Sequence, residues 1–183
     1  THLELERYFG IDDLLDETTA PAIWARANQL LAGEDLRAHG ILKKFRVKAL
    51  CTTDDPVDDL SYHKRIAASD LETRVFPAFR PDKALNVHQP EAFNAWVGRL
   101  EAAAGVSITR LADLLDALRK RHDYFHQMGA RLSDHGLNHC YADFCADAAA
   151  AKIFDRARSG QAATPAEQGQ FAANLMLFFG HLD

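Results

Sequence analysis

The chain has 183 residues, 48% apolar and 26% charged, which is enough for one sizeable domain with its own core. A net charge of -5 without a basic stripe speaks against nucleic acid as a partner, but leaves room for a small anionic substrate met by one or two local arginines. The three cysteines, Cys51, Cys140 and Cys145, are odd in number and form no C-x-x-C, so they read as thiols of a reducing cytoplasm rather than a disulfide framework. No signal peptide and no membrane-length apolar run is visible, and the start at Thr1 rather than Met reads as a processed or truncated piece.

In chain order, the first strong pattern is Ala20 to Leu31, with Ile23, Trp24, Ala27, Leu30 and Leu31 at helical spacing. Thr18 or Thr19 can cap this helix, Pro21 suits its first turn and Gly33 ends it. The period then changes. FRVKALCT alternates Phe45, Val47, Ala49 and Cys51 with their neighbours and reads as a strand running into a turn at Asp54, Asp55 and Pro56. A helix is expected from Asp58 to Ala68, with Leu60, His63, Ile66 and Ala67 on one face. RVFPAF is a second strand, kept short or irregular because Pro77 lacks a ladder donor. Strand, helix, strand is a βαβ unit with parallel strands.

From Asp82 onward the pattern is helical. Phe93, Trp96, Val97 and Leu100 mark a helix stopped at Gly105; Leu111, Leu114, Leu115, Leu118, Phe125 and Met128 mark another, stopped at Gly129. GARLSDHG is too short for a helix, holds a third strand candidate and ends in a turn. Two helices finish the chain. One carries Ile153 and Phe154 before Gly160; the other opens with TPAE, a capping box of Thr164 and Glu167, and can end at Gly180. Trp24, Trp96 and Phe125 lie in apolar stripes and are expected in the core or an interface.

LCTTDDP with the following SYH, then PAFRPD, then RLSDHG, resemble uronate (glucuronate) isomerase, as do the opening THLELERYFG and the pair Ile23–Trp24. The resemblance runs in order along essentially the whole chain. It implies the amidohydrolase-like (β/α)8 barrel with a helical insertion, and an aldose–ketose isomerisation of D-glucuronate to D-fructuronate and of D-galacturonate to D-tagaturonate. It also implies a divalent metal, commonly zinc, at the barrel mouth of the intact enzyme. The sequence departs from that family at the metal site: no His-x-His pair occurs anywhere in it. About three strand candidates are present where a barrel needs eight. The expected fold class is therefore a helix-rich α/β segment of an incomplete TIM barrel. Residues 1–82 would hold barrel units with leading helices, 83–128 the helical insertion, and 129–183 a strand, the SDHG loop and the last helices. Such a segment is expected to bind no metal by itself, to be inactive alone, and to form a homo-oligomer that covers its open strand edges.

Uronate isomerisation needs an anchor for the substrate carboxylate, a base for the proton leaving C2, and positive charge at the enediolate oxygen. Arg80, at the end of its strand, suits the anchor or the enediolate contact; the plain alternative is an ion pair with Asp82 or Asp54. Asp134 and His135 suit proton transfer, against an Asx-turn or cap made by Ser133 and Asp134. Thr53, Asp54 and Asp55 follow the first strand, as does Thr52, and can line a substrate site, against ordinary Asp-Asp-Pro turn chemistry. Tyr62 and His63 read as core residues before ligands. His122 and His126, or His135 and His139 with Cys140 and Cys145, have the spacing of a zinc site but lack the H-E-x-x-H glutamate. The competing functional class is a non-catalytic helical interaction or oligomerisation domain. The enzyme reading requires Arg80 and Asp134 to converge on a common cleft, whereas the competing one scatters them or salt-bridges them on the outside.

Overall fold

A computed structural model describes residues 1–183 as two compact units, Thr1–Leu50 with Ile66–Val75, and Cys51–Arg65 with Phe76–Asp183. In the first unit, α1 (His2–Glu4) runs into a π-helical turn (Leu5–Phe9), followed by α2 (Ala20–Leu31) and α3 (Ala38–Lys44). Its small core joins Leu5, Ile11 and Ile23, with Phe9 against them. The cap of α2 differs from the expected one. Asp16 Oδ1 accepts the Thr18 and Thr19 amides at 2.8 and 3.0 Å, and Thr19 Oγ1 donates to the Leu14 carbonyl instead of capping. Trp24 is 73% exposed and so belongs to no core within this chain.

Two short strands, β1 (Ala49–Cys51) and β2 (Arg74–Phe76), form a sheet whose ladder runs from Arg74 N–H to the Lys48 carbonyl and from Thr52 N–H to the Phe76 carbonyl. The predicted strand at 45–52 thus loses its first half. α3 continues to Lys44, and Arg46 reverses the chain at a φ of 52°. The parallel register carries on beyond the strands as two bridges, Asp54 to Phe79 and Phe79 to Ser133. Arg80 N–H donates to the Asp54 carbonyl, and Asp134 N–H to the Phe79 carbonyl. Three segments therefore end side by side. Pro77 shares the parity of Phe79, whose amide faces the third segment, and having no N–H it confines that pairing to the region of Phe79.

α4 (Ser61–Ala67) follows β1 and starts three residues later than expected. The side chains of Asp55, Asp58 and Asp59 each accept an amide two residues on, and Leu60 sits at a φ of 55°, so this stretch is turn rather than helix.

The second unit is built mainly from α5 (Pro90–Ala104), α6 (Leu111–Gln127), α7 (Asp147–Arg158) and α8 (Pro165–Leu182). Gly105 ends α5 at a φ of 65°, and the Thr164–Glu167 capping box opens α8. Gly180 does not end α8, which continues to Leu182. The buried core holds Phe79, Phe93, Trp96, Phe125, Phe154, Phe171 and Phe179. Phe79 meets Phe125 edge-to-face at 5.3 Å, which fastens the middle of the three segments to α6. Buried Arg121 on α6 donates to the carbonyls of Pro56, Asp58 and Ala103, so it holds the turn after β1. No helix is long and apolar enough to cross a membrane.

Candidate active site

Side chains of directly bridged residues lie on one side of a sheet, and their neighbours along each segment lie on the other. Asp54, Phe79 and Ser133 therefore share the face that Phe79 buries against the helices. Thr53, Arg80 and Asp134 share the opposite, open face. Their contacts agree with this. Thr53 Oγ1 donates to Asp134 Oδ2 at 2.8 Å, and Arg80 Nη1 lies 3.7 Å from the same oxygen. Arg80 and Asp134 are each about a third exposed, open enough to meet a solute.

A second carboxylate completes the cluster. Asp82 Oδ2 accepts Arg80 Nε at 3.1 Å and the Gly136 amide at 2.7 Å, while Asp82 Oδ1 lies 2.8 Å from His135 Nδ1. Burial works to raise the Asp82 carboxyl, but the Gly136 amide, His135 and Arg80 together outweigh it and hold the group below the usual carboxylate range. His135 also stacks on Phe179, with ring centres 5.8 Å apart. Gly136 is needed for space rather than for an unusual φ, because a Cβ there would stand 2.0 Å from Arg80 Nη2.

The predicted residues thus separate. Arg80, Asp134, His135 and Thr53 come together, and the pairing of Arg80 with Asp82 is present as well. Asp54 turns to the helix side, where its Oδ2 accepts from Thr52 Oγ1 at 2.6 Å and lies 3.7 Å from His63 Nε2. Asp55 accepts the Trp96 indole at 2.9 Å, and Lys83 Nζ lies 2.8 Å from its other oxygen. His63 is buried against Thr52, whereas Tyr62 is 69% exposed rather than part of the core. In the sequence, Asp82 stands out only as a competing partner of Arg80, and Gly136 only as the end of a turn. The signal for Asp82 was its place two residues after Arg80 at a strand end.

No group of three or more His, Cys, Asp or Glu side chains is arranged to hold a metal ion. His122 faces Asp183 at 3.4 Å and Phe79 edge-on, and His139 packs on Tyr141. The zinc reading of His122, His126, His135 and Cys140 is therefore not supported by their placement.

Three parallel segments that end in a cationic and acidic cluster, backed by helices, place the chain among helix-rich α/β proteins. The fold is similar to a uronate isomerase crystal structure from Thermotoga maritima, with a TM-score of 0.85 and 31% identity over 99% of this chain and 40% of that one. Among sequence relatives, a uronate isomerase of Solibacter usitatus is 62% identical over all 183 residues, and one of Opitutus terrae is 51% identical. The glucuronate isomerase family model matches residues 1–183. The chain belongs to the glucuronate isomerase family, and it spans about 39% of the length of the Solibacter relative.

Proposed function

We propose that these residues form one side of the active site of a uronate isomerase, which interconverts D-glucuronate with D-fructuronate and D-galacturonate with D-tagaturonate. The reading includes an incomplete (β/α)8 barrel, with units in 1–82, an insertion in 83–128 and the SDHG loop in 129–183. The observation that carries it is the convergence of Thr53, Arg80, Asp134 and His135 at the ends of three parallel segments. In this reading Arg80 holds the uronate carboxylate or the enediolate oxygen, where a fixed guanidinium is worth most. Asp134, hydrogen-bonded by Thr53, and His135 are the groups in reach to move the C2 proton.

A divalent metal at the mouth of the intact enzyme remains part of this reading. The residues of this chain do not fit its ligand set: Asp82 is taken up by Arg80, His135 and Gly136, and Asp54 by Thr52.

The test is Arg80→Met in a polypeptide of the relatives' length that carries these residues. Loss of a charged contact of about 2 kcal/mol should lower kcat/KM for D-glucuronate roughly 30-fold. Activity within about twofold of the parent would refute the anchoring role.

A further inference from the structure

We infer that Asp82 is the positioning residue of this site, which fixes the tautomer of His135 through one oxygen and the pose of Arg80 through the other. The inference deepens the proposed function and rests on it for its chemical purpose, though not for its geometry.

The two oxygens of Asp82 are not equivalent. Oδ2 receives two groups that can only donate, the Gly136 amide and Arg80 Nε. Oδ1 faces His135 Nδ1 at 2.8 Å. An ionised carboxylate is an acceptor only, so the proton of this contact must sit on Nδ1. The neutral imidazole is thereby left with its lone pair on Nε2, the nitrogen that can take a proton from a substrate carbon. An imidazole without such a partner is free to carry its proton on either nitrogen. The stacking of His135 on buried Phe179 fixes the ring plane but cannot distinguish the two nitrogens, so the tautomer depends on Asp82.

The same carboxylate ties up Arg80 Nε and leaves the two terminal nitrogens to other partners. Nη1 lies toward Asp134, and Nη2 lies over Gly136. Asp82 therefore sets the direction in which the guanidinium presents its fork. It acts through Arg80 and His135 rather than on substrate. The charged groups facing His135 are Asp82 at 2.8 Å and, across that carboxylate, Arg80; the ring of Phe179 covers the side toward α8.

The geometry makes Asp82→Asn a directional test. Because Gly136 N–H and Arg80 Nε both donate to Oδ2, the amide oxygen of the variant must take that position. Its NH2 group then faces His135 Nδ1 and donates to it. The neutral ring must invert, with the lone pair on Nδ1 and the proton on Nε2.

The measurement is a long-range proton–nitrogen spectrum of the histidine rings in the 183-residue chain, recorded at a pH where the imidazole is neutral. In the parent the unprotonated, pyridine-type nitrogen should be Nε2 of His135; in Asp82→Asn the two signals should exchange identities. A parent spectrum with Nδ1 unprotonated overturns the inference by itself, whether or not the variant folds. A well-dispersed variant spectrum in which His135 keeps its parental tautomer overturns it equally. Activity is not the readout, so failure of the isomerase reading leaves the tautomer standing, and a wrong tautomer in an active isomerase sinks only this inference.

Discussion

Gly136→Ala separates the fit of the site from the stability of the fold. The added Cβ would stand 2.0 Å from Arg80 Nη2 and 3.1 Å from its Cζ, and real contacts of this kind begin above 3 Å. Gly136 does not occupy the left-handed region, so alanine brings no backbone strain there. What must move is the end of a long, partly exposed side chain, which can swing away cheaply. The stability lost is then that of partly exposed ion pairs to Asp82 and Asp134, up to about 1 kcal/mol. For a chain of this size that lowers Tm by about 2–4 °C. The functional loss should be far larger, because a guanidinium displaced by an ångström no longer meets the substrate in the productive direction. A reduction in kcat/KM of roughly 10- to 100-fold is expected, close to that of Arg80→Met. Thermal melts monitored by circular dichroism and turnover of D-glucuronate in a polypeptide of the relatives' length measure the two quantities. Two results would refute the reasoning: kcat/KM within about twofold of the parent, or a Tm fall of about 10 °C, which would make Gly136 a fold determinant.

Two further outcomes follow from buried or paired charges. Arg121→Met strips the hydrogen bonds from the Pro56, Asp58 and Ala103 carbonyls and the cation from above Tyr124; a loss of about 3 kcal/mol should lower Tm by roughly 6–12 °C, and an unchanged calorimetric melt would exclude the clamp. Asp82 lies below the ordinary carboxylate range in the folded chain, so its contribution to stability is present above about pH 4 and fades as pH falls through the lowered folded value. Urea titrations across that window should show a parental loss of stability that Asp82→Asn flattens, and identical acid profiles would contradict it.

The helices were legible because burial dictated them. α5 and α6 carry apolar residues at 3.6 spacing and stop at Gly105 and near Gly129, and the Thr164–Glu167 box opens α8 as the sequence indicates. The first strand was misread because Phe45 and Val47 mimic alternation, although one follows the end of α3 and the other lies past the reversal at Arg46. Local periodicity cannot separate a strand from a helix end followed by a turn when the run is short. The neighbourhood of Arg80, Asp134 and His135 was suggested by strand-end position together with the family resemblance, and the three do lie close together. Asp82 as a hub could not, because its contacts to His135 and Gly136 span 53 and 54 residues, and no local pattern encodes them. Asp54 and Asp55 follow the first strand as closely as Thr53 does, but their partners are distinct: Thr52 for Asp54, and Trp96 and Lys83 for Asp55.

The arrangement of side chains on the open face is fixed by packing on the hidden one. Phe79 and Arg80 are consecutive, so they must point to opposite sides of the sheet. Phe79 is 1% exposed between Phe125 and His122, and withdrawing an aromatic ring from that environment costs several kcal/mol. A register slip of one residue would put the Arg80 guanidinium into this apolar packing and Phe79 into water. The side on which Arg80 meets Asp134 and Asp82 is therefore set by the burial of Phe79 rather than by those carboxylates. Partly exposed ion pairs of up to about 1 kcal/mol are too weak to choose a register, but once it is chosen they are sufficient to choose a rotamer.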